Sequence, residues 1–406
     1  MELSAGKSNS RSDAEKITYD YNRLNGKFDQ LNDLLSNDFE NIYGYTNAGF
    51  RLRMQKKKFS IAAGINYQRA DLEGKIISGI KDSVIGKTFY NFLPNARFQY
   101  NFTRYRSMTL SYSTVTNQPS MSQLQPIPDI SDPLNIREGN PDLKQEYSHA
   151  IQLSFNSINP FKNRNLFGYI NASRTDNKIV DYDIIDNLGR KTTRPVNVNG
   201  VLNLNGNFSV GLPVRFLKGS INFGSNISYS KGKQFINTNG NTTNTFTMGP
   251  DVRLDMNLTE KFYMSAGAEF NYYSAKYSLQ STLNTNYFMQ CYSTDINWQL
   301  PKSFFFNTEF SYTINSQRVE GFNARVPLWN ASISKQFLHF NRGEIKLTTF
   351  DLLNQNIGIS RSTNQNYIED RRVTNLQRYF LLSFTYSLSK NGLGPAGAVG
   401  NKIIMR

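Results

Sequence analysis

The chain has 406 residues, 46 Lys and Arg against 31 Asp and Glu, a formal net charge of +15 and a hydrophobic fraction of 38%. It contains no apolar run of about 20 residues, which excludes a helical membrane protein; a transmembrane strand, by contrast, needs only about 9–11 residues with every second one apolar. The 29 Phe and 23 Tyr recur in alternating segments rather than at helical spacing, which favours an all-β chain. Single Cys291 excludes an internal disulfide and reads as a buried or lipid-facing structural thiol. The basic excess invites a nucleic-acid partner, but the cations scatter through turns and polar parities with no recognition helix or zinc signature, so none is expected.

Residues 1–10, "MELSAGKSNS", lack a basic region followed by an apolar one, so no secretory signal is present, and the first strand is placed there. "FSIAAGINY" then sets Phe59, Ile61, Ala63, Ile65 and Tyr67 against Ser60, Ala62, Gly64 and Asn66. "VLNLNGNFSVGL" does the same with Leu202, Leu204, Phe208, Val210 and Leu212 against Asn203, Asn205, Asn207 and Ser209. "FYMSAGAEFNY", from Phe262 to Tyr272, and "YFLLSFTYSL", from Tyr379 to Leu388, repeat the pattern. Successive side chains of a strand point to opposite faces, so each segment offers an apolar stripe backed by small polar residues. Gly, Ala, Ser and Asn outnumber Lys and Glu on the polar parity, which suits a curved hydrated interior better than the surface of a soluble sandwich. No blade-length repeat supports a propeller.

Short basic turns punctuate these segments at 55–58, 103–106, 159–165, 213–219, 258–261, 300–303 and 340–343. Between them lie long connections at 74–87, 118–142, 232–246 and 362–373, polar or Pro-rich. Short turns on one side and long loops on the other are the layout of an outer-membrane barrel, with turns periplasmic and loops extracellular. The fold expected is therefore an all-β transmembrane antiparallel β-barrel with about sixteen strands over residues 1–389, ending near Lys390. Residues 390–406 form a Gly-rich tail read as disordered.

The stretch "REGNPDLKQEYSH" holds the turn formers Gly139, Asn140 and Pro141 ahead of a strand that begins with Leu143 and Tyr147. It resembles the "GNP-x-L-K-x-E-x-S" segment of TonB-dependent outer-membrane receptors, matched by Gly139, Asn140, Pro141, Leu143, Lys144, Glu146 and Ser148, with Gln145 where a proline is usual. Residues 343–362 and 375–390 resemble the last hairpin of the Bacteroidota-type outer-membrane β-barrel family within that superfamily, and residues 35–75 resemble one of its internal hairpins. The resemblance implies a 22-stranded barrel of which about six strands, a plug and a TonB-interacting segment lie outside this chain. It also implies a bacterial outer-membrane receptor that imports a scarce nutrient. The implied partners are outer-membrane lipid and lipopolysaccharide, the TonB complex through an N-terminal region, the barrel insertion machinery, and a small-molecule, glycan or peptide ligand.

No catalytic or cofactor site is expected. His149 and His339 are far apart in sequence, no Gly-rich phosphate loop opens a helix, and no His or Cys cluster has metal spacing. The acidic pairs Asp181/Asp183 and Glu369/Asp370 read as solvated loops. Parity alone proposes Asn203, Asn205, Asn207, Arg253, Asp255, Glu269 and Asn271 as lumen-facing. Phe59, Tyr67, Phe102, Tyr105, Phe216, Phe262, Trp298, Phe304 and Phe337 fit interfacial aromatic belts. A passive outer-membrane channel, or a surface structural or adhesive barrel, are the alternative functions.

Overall fold

The computed structural model describes residues 1–32, 36–78, 83–125, 128–129, 132–279, 281–316, 325–363 and 368–388. The Gly-rich tail and Tyr367 lie outside the described residues. The elements run in chain order as β1 (Glu2–Lys16), β2 (Tyr19–Asn22), β3 (Lys27–Leu31), β4 (Asn37–Gln55), β5 (Phe59–Ser78), β6 (Ser83–Thr103) and β7 (Arg106–Asn117). Helix α1 (Met121–Leu124) and β8 (Asn135–Arg137) precede β9 (Glu146–Asn159), β10 (Arg164–Asp176), β11 (Lys178–Ile185), β12 (Lys191–Val198) and β13 (Val201–Val214). There follow β14 (Gly219–Ile236), β15 (Asn239–Thr259), β16 (Phe262–Tyr277), β17 (Thr285–Leu300), β18 (Phe304–Ser316) and β19 (Arg325–Phe337). The last are β20 (Gly343–Phe350), β21 (Ile357–Thr363), β22 (Ile368–Thr374) and β23 (Tyr379–Tyr386).

Sixteen of these form one antiparallel ladder in which each strand pairs with the next: β1, β4, β5, β6, β7, β9, β10 and β13, then β14 through β20, and finally β23. The strand number read from the sequence is thus met, with the last strand ending at Tyr386 rather than near Lys390. Among the described residues no pairing joins β23 to β1, so the sheet is open at both edges. The hairpins β2–β3, β11–β12 and β21–β22 are excursions between ladder strands, all on the side away from the short turns.

All seven short turns fall where the sequence places them. Four are built on one turn of 3₁₀ helix: Pro160–Lys162, Arg215–Leu217, Pro301–Ser303 and His339–Asn341. Left-handed residues help reverse the chain there, among them Asn163 and Lys218, which close the first two.

Two of the long connections are instead strand. The segment 232–246 pairs almost throughout as β14 and β15, with Ile236 opposite Asn239 across a two-residue turn at Asn237 and Thr238, both at positive φ. Residues 74–78 and 83–87 likewise extend β5 and β6. Pleated pairing satisfies these backbone groups without an apolar stripe, so alternation alone does not reveal it. The ladder is consequently uneven in height, with 21 residues in β6 and in β15 but 8 in β20 and in β23.

Register fixes the faces. Along β13 and β14 the pairs Asn203–Ser230, Asn205–Ser228 and Asn207–Asn226 share one side, while Leu204–Tyr229, Val210–Phe223 and Leu212–Ile221 share the other. The apolar side is exposed along the whole ladder, from Leu52 and Ile65 through Leu153, Ile170, Phe208, Phe223 and Trp298 to Leu382 and Phe384. A continuous apolar surface crossing every strand far exceeds the few hundred Å² that soluble monomers leave bare.

Aromatics mark two levels on that surface. Phe262 meets Trp298 at a ring distance of 5.9 Å beside the short turns, where Phe59, Phe304 and Phe337 also stand. Tyr67 belongs to the second level: it lies eight residues into β5, where it contacts Tyr90 and Phe92.

Candidate functional site: the polar face and its insert

Every residue expected to line a lumen lies on the polar side of the ladder. Asn203 and Asn205 accept hydrogen bonds from Ser230 and Ser228 at 2.9 and 3.0 Å, and Asn207 Nδ2 donates to Asn226 Oδ1 at 2.6 Å. These neutral cross-strand pairs hold each amide in place. Nearer the short turns the wall becomes charged. Arg253 Nε lies 2.9 Å from Asp255 Oδ1, and Arg253 Nη2 donates to Ser265 Oγ at 3.0 Å and reaches Asp295 Oδ2 at 3.5 Å. Tyr263 donates to Asp255 at 2.8 Å, Ser265 donates to Asp295 at 2.8 Å, and Asn222 donates to Asp255 at 3.1 Å. One guanidinium is therefore shared by two carboxylates on β15 and β17, across the intervening β16, with three neutral donors completing the set.

Glu269 and Asn271 form a separate pair two residues apart, with Asn271 Nδ2 donating to Glu269 Oε1 at 2.7 Å. Glu269 stands opposite Asp251 on β15 and Cys291 on β17. Cys291 is thus half-buried on the polar side, where Thr313 Oγ1 lies 3.7 Å from its sulfur.

The described parts of 118–145, a segment that includes the connection 118–142 read from the sequence as extracellular, fold back over the polar face of β4, β5 and β6. Met121, Leu124 and Leu143 pack on Leu72 to form a buried apolar cluster, with Tyr43, Phe89 and Ile179 against it. Ser120 starts α1 with a reciprocal cap to Gln123. Lys87 Nζ donates to Leu143 O at 2.8 Å and Asn91 Nδ2 to Gln145 Oε1 at 2.6 Å, tying the insert to β6.

The receptor-like motif is the clasp of this insert. A Cβ on Gly139 would lie 2.0 Å from the Gln125 carbonyl oxygen and 2.6 Å from its carbon, so only glycine fits. Asn140 donates from its backbone to Gln123 O at 2.6 Å and from Nδ2 to Pro195 O at 2.9 Å. Pro141 and Asp142 then form a turn that leads to buried Leu143. Lys144 N–H donates to Asn197 Oδ1 at 2.8 Å, and Asn197 returns a bond to Lys144 O at 3.0 Å. Buried Glu146 lies 2.9 Å from Lys178 Nζ and accepts from Ile179 N–H at 2.9 Å. The ladder resumes at Glu146 rather than at Leu143.

Between the insert and β12 opens a cavity of about 300 Å³ lined by Asp129, Asp132, Asn135, Arg137, Lys191 and Thr193. Hydrogen bonds from the Asn135 side chain and the Leu134 N–H hold the Asp132 carboxyl below its ordinary range.

The remaining sequence candidates are dispersed. His149 Nδ1 lies 2.8 Å from the Tyr112 hydroxyl, on the apolar side. Buried Asp183 accepts from Thr193 and Gln234, whereas Asp181 is exposed. Tyr182 meets Phe235 edge-on at 5.8 Å. Among the described residues no group of three or more His, Cys, Asp or Glu is placed to hold a metal ion.

Known proteins offer a fold-level comparison. The siderophore receptor PirA of Acinetobacter baumannii aligns over 95% of this chain and 60% of its own, at 13% identity and a TM-score of 0.37. The ferric enterobactin receptor PfeA of Pseudomonas aeruginosa aligns over the same shares at 10% identity and a TM-score of 0.39. A FadL homologue of Pseudomonas aeruginosa aligns over 95% of this chain and 89% of its own, at 8% identity and a TM-score of 0.26. The chain thus spans about three fifths of the length of the two receptors. No curated protein matches the sequence. The model of the outer membrane protein beta-barrel family matches residues 2–386, the whole ladder from β1 to β23; the chain belongs to that family and lies in the bacterial outer membrane.

Proposed function

We propose that the chain forms the greater part of the barrel of a TonB-dependent receptor that takes up a scarce nutrient, with its apolar face in lipid and its polar face turned to the lumen. The supporting observation is the 118–145 insert, whose clasp is the receptor-like motif from Gly139 to Glu146. A structured segment anchored over the polar face suits a barrel that holds and releases a ligand better than a free-running pore. Asn203, Asn205, Asn207, Arg253, Asp255, Glu269 and Asn271 then contact a plug or line the path of a small-molecule, glycan or peptide ligand. Unpaired strand edges cost several kcal/mol per backbone group in hydrocarbon, so the edges of β1 and β23 are closed by further strands.

The test is growth of the source bacterium on single limiting nutrients. Loss of growth on one nutrient, both without this protein and without TonB, is the expected result. Growth loss that does not depend on TonB assigns a passive channel, and growth unaffected on every nutrient assigns a structural or adhesive role.

The faces are checked by cysteine labelling in a Cys291→Ser background. Asn205→Cys is expected to react with a membrane-impermeant maleimide while Leu204→Cys and Phe208→Cys are protected; the opposite pattern reverses the barrel.

A further inference from the structure

The net charge of +15 is not spread over the molecule. The seven short turns contain twelve Lys and Arg and one acid, Glu260, leaving 34 cations against 30 acids across the remainder. Eleven of the twelve are exposed: Lys56, Lys57, Lys58, Arg104, Arg106, Lys162, Arg164, Arg215, Lys218, Lys261 and Lys302; Arg342 is half-buried. Among the described residues none of the twelve makes an ion pair. The opposite rim mixes its signs and pairs them, as in Arg190–Asp186 at 2.8 Å, Lys178–Glu146 at 2.9 Å and Arg69–Asp71 at 3.2 Å.

Aromatic rings accompany the unpaired cations. Three of the four 3₁₀ turns, with the unrelated sequences "PFK", "RFL" and "HFN", carry Phe at the middle position. These residues, Phe161, Phe216 and Phe340, are 89%, 85% and 60% exposed. Each has a cation within two residues: Lys162, Arg215 and Arg342. In a fourth turn the Arg104 guanidinium lies 5.9 Å from the centre of the Tyr105 ring. The tips project just beyond the lower aromatic level of the apolar face, at Phe59, Phe262 and Phe304.

We propose that the short-turn rim is a docking surface for anionic phospholipid headgroups of the adjoining leaflet. Headgroup phosphates neutralise the cations, and the acyl boundary beneath them receives the three rings. Water leaves such rings bare. An anionic glycan or protein satisfies the charge but offers no apolar layer shared by rings on separate turns.

The test uses the full-length protein reconstituted in phosphatidylcholine bilayers containing a minor fraction of phosphatidylglycerol. Spin-labelled versions of the two lipids report which one occupies the protein boundary. Phosphatidylglycerol is expected to be favoured by about fivefold or more, the factor one well-placed cation supplies beside an anionic surface. The preference is expected to collapse in high salt and in a variant carrying Lys162→Gln, Arg164→Gln, Arg215→Gln and Lys218→Gln. It is expected to survive Lys75→Gln, Lys231→Gln, Lys233→Gln and Lys276→Gln, which remove the same charge from the far half of the ladder.

Equal association of the two lipids with the unmodified protein overturns the proposal, as does a preference that persists in the turn variant. Salt-sensitive binding to isolated peptidoglycan without any lipid preference also overturns it, and assigns the rim to a polymer. The salt titration of the unmodified protein decides the matter even if the turn variant does not fold, and none of these readings depends on what the barrel transports.

Discussion

Phe208→Arg is expected to destabilise the folded barrel in a bilayer by about 2–4 kcal/mol, the range for arginine at the lipid-facing midplane of a barrel. Phe208 sits in the middle of β13, is 46% exposed on the apolar face, and has Gly168 and Ser225 as its cross-strand neighbours. Neither neighbour offers a counter-charge, and the nearer rim is several residues away, so a guanidinium there must either enter hydrocarbon or thin the bilayer. Asn205→Arg places the same group three residues earlier on the opposite face, beside Ser228, and is expected to cost less than about 1 kcal/mol. Urea unfolding in lipid vesicles measures both. Equal losses in the two variants sink the division of the sheet into a lipid face and a wet face.

Gly139→Ala is expected to dislodge the 118–145 insert. The new methyl group meets the backbone of Gln125 rather than a side chain that can turn aside, and overpacking of this kind typically costs about 1–3 kcal/mol. The insert is held chiefly by Leu124 and Leu143, both fully buried, each worth about 1.5–3 kcal/mol relative to exposure. A strain of that size therefore competes with the clasp itself, while the ladder, whose hydrogen bonds lie elsewhere, stays folded. External protease applied to intact cells is expected to cut within 118–145 in the variant and to spare the unmodified protein. Unchanged protection in Gly139→Ala shows that the insert is not held by this turn.

The ladder was legible because each of its strands carries its own evidence. Alternation and seven basic turns are local, and the sequence places all seven correctly, from Gln55–Lys58 to Phe340–Gly343. The polar face was legible for the same reason, since Asn203, Asn205 and Asn207 differ from their neighbours by parity alone. What parity conceals is contact between segments distant in sequence. The sharing of Arg253 between Asp255 and Asp295 joins strands 40 residues apart in sequence.

The insert was missed because a Pro-rich stretch between strands reads as a surface loop. Its docking site did leave a trace. Leu72 and Phe89, with Leu93 beside them on β6, interrupt the small and polar residues of one face on adjoining strands, and a group of large apolar side chains on a mostly polar face marks a place where another part of the chain comes to rest.

The ladder is a plain meander in which no strand pairs across another ladder strand. Its widest gaps, at 118–145, 177–200 and 351–378, are bridged by excursions that leave the order of pairing unchanged. Loop-closure entropy is therefore met in small steps as the barrel forms. Each completed hairpin exposes an edge on which the next can form, so assembly can proceed like a zipper from one end of the chain to the other. Only the closing seam requires distant partners to find each other, and there the kinetic cost of so large a sheet is concentrated.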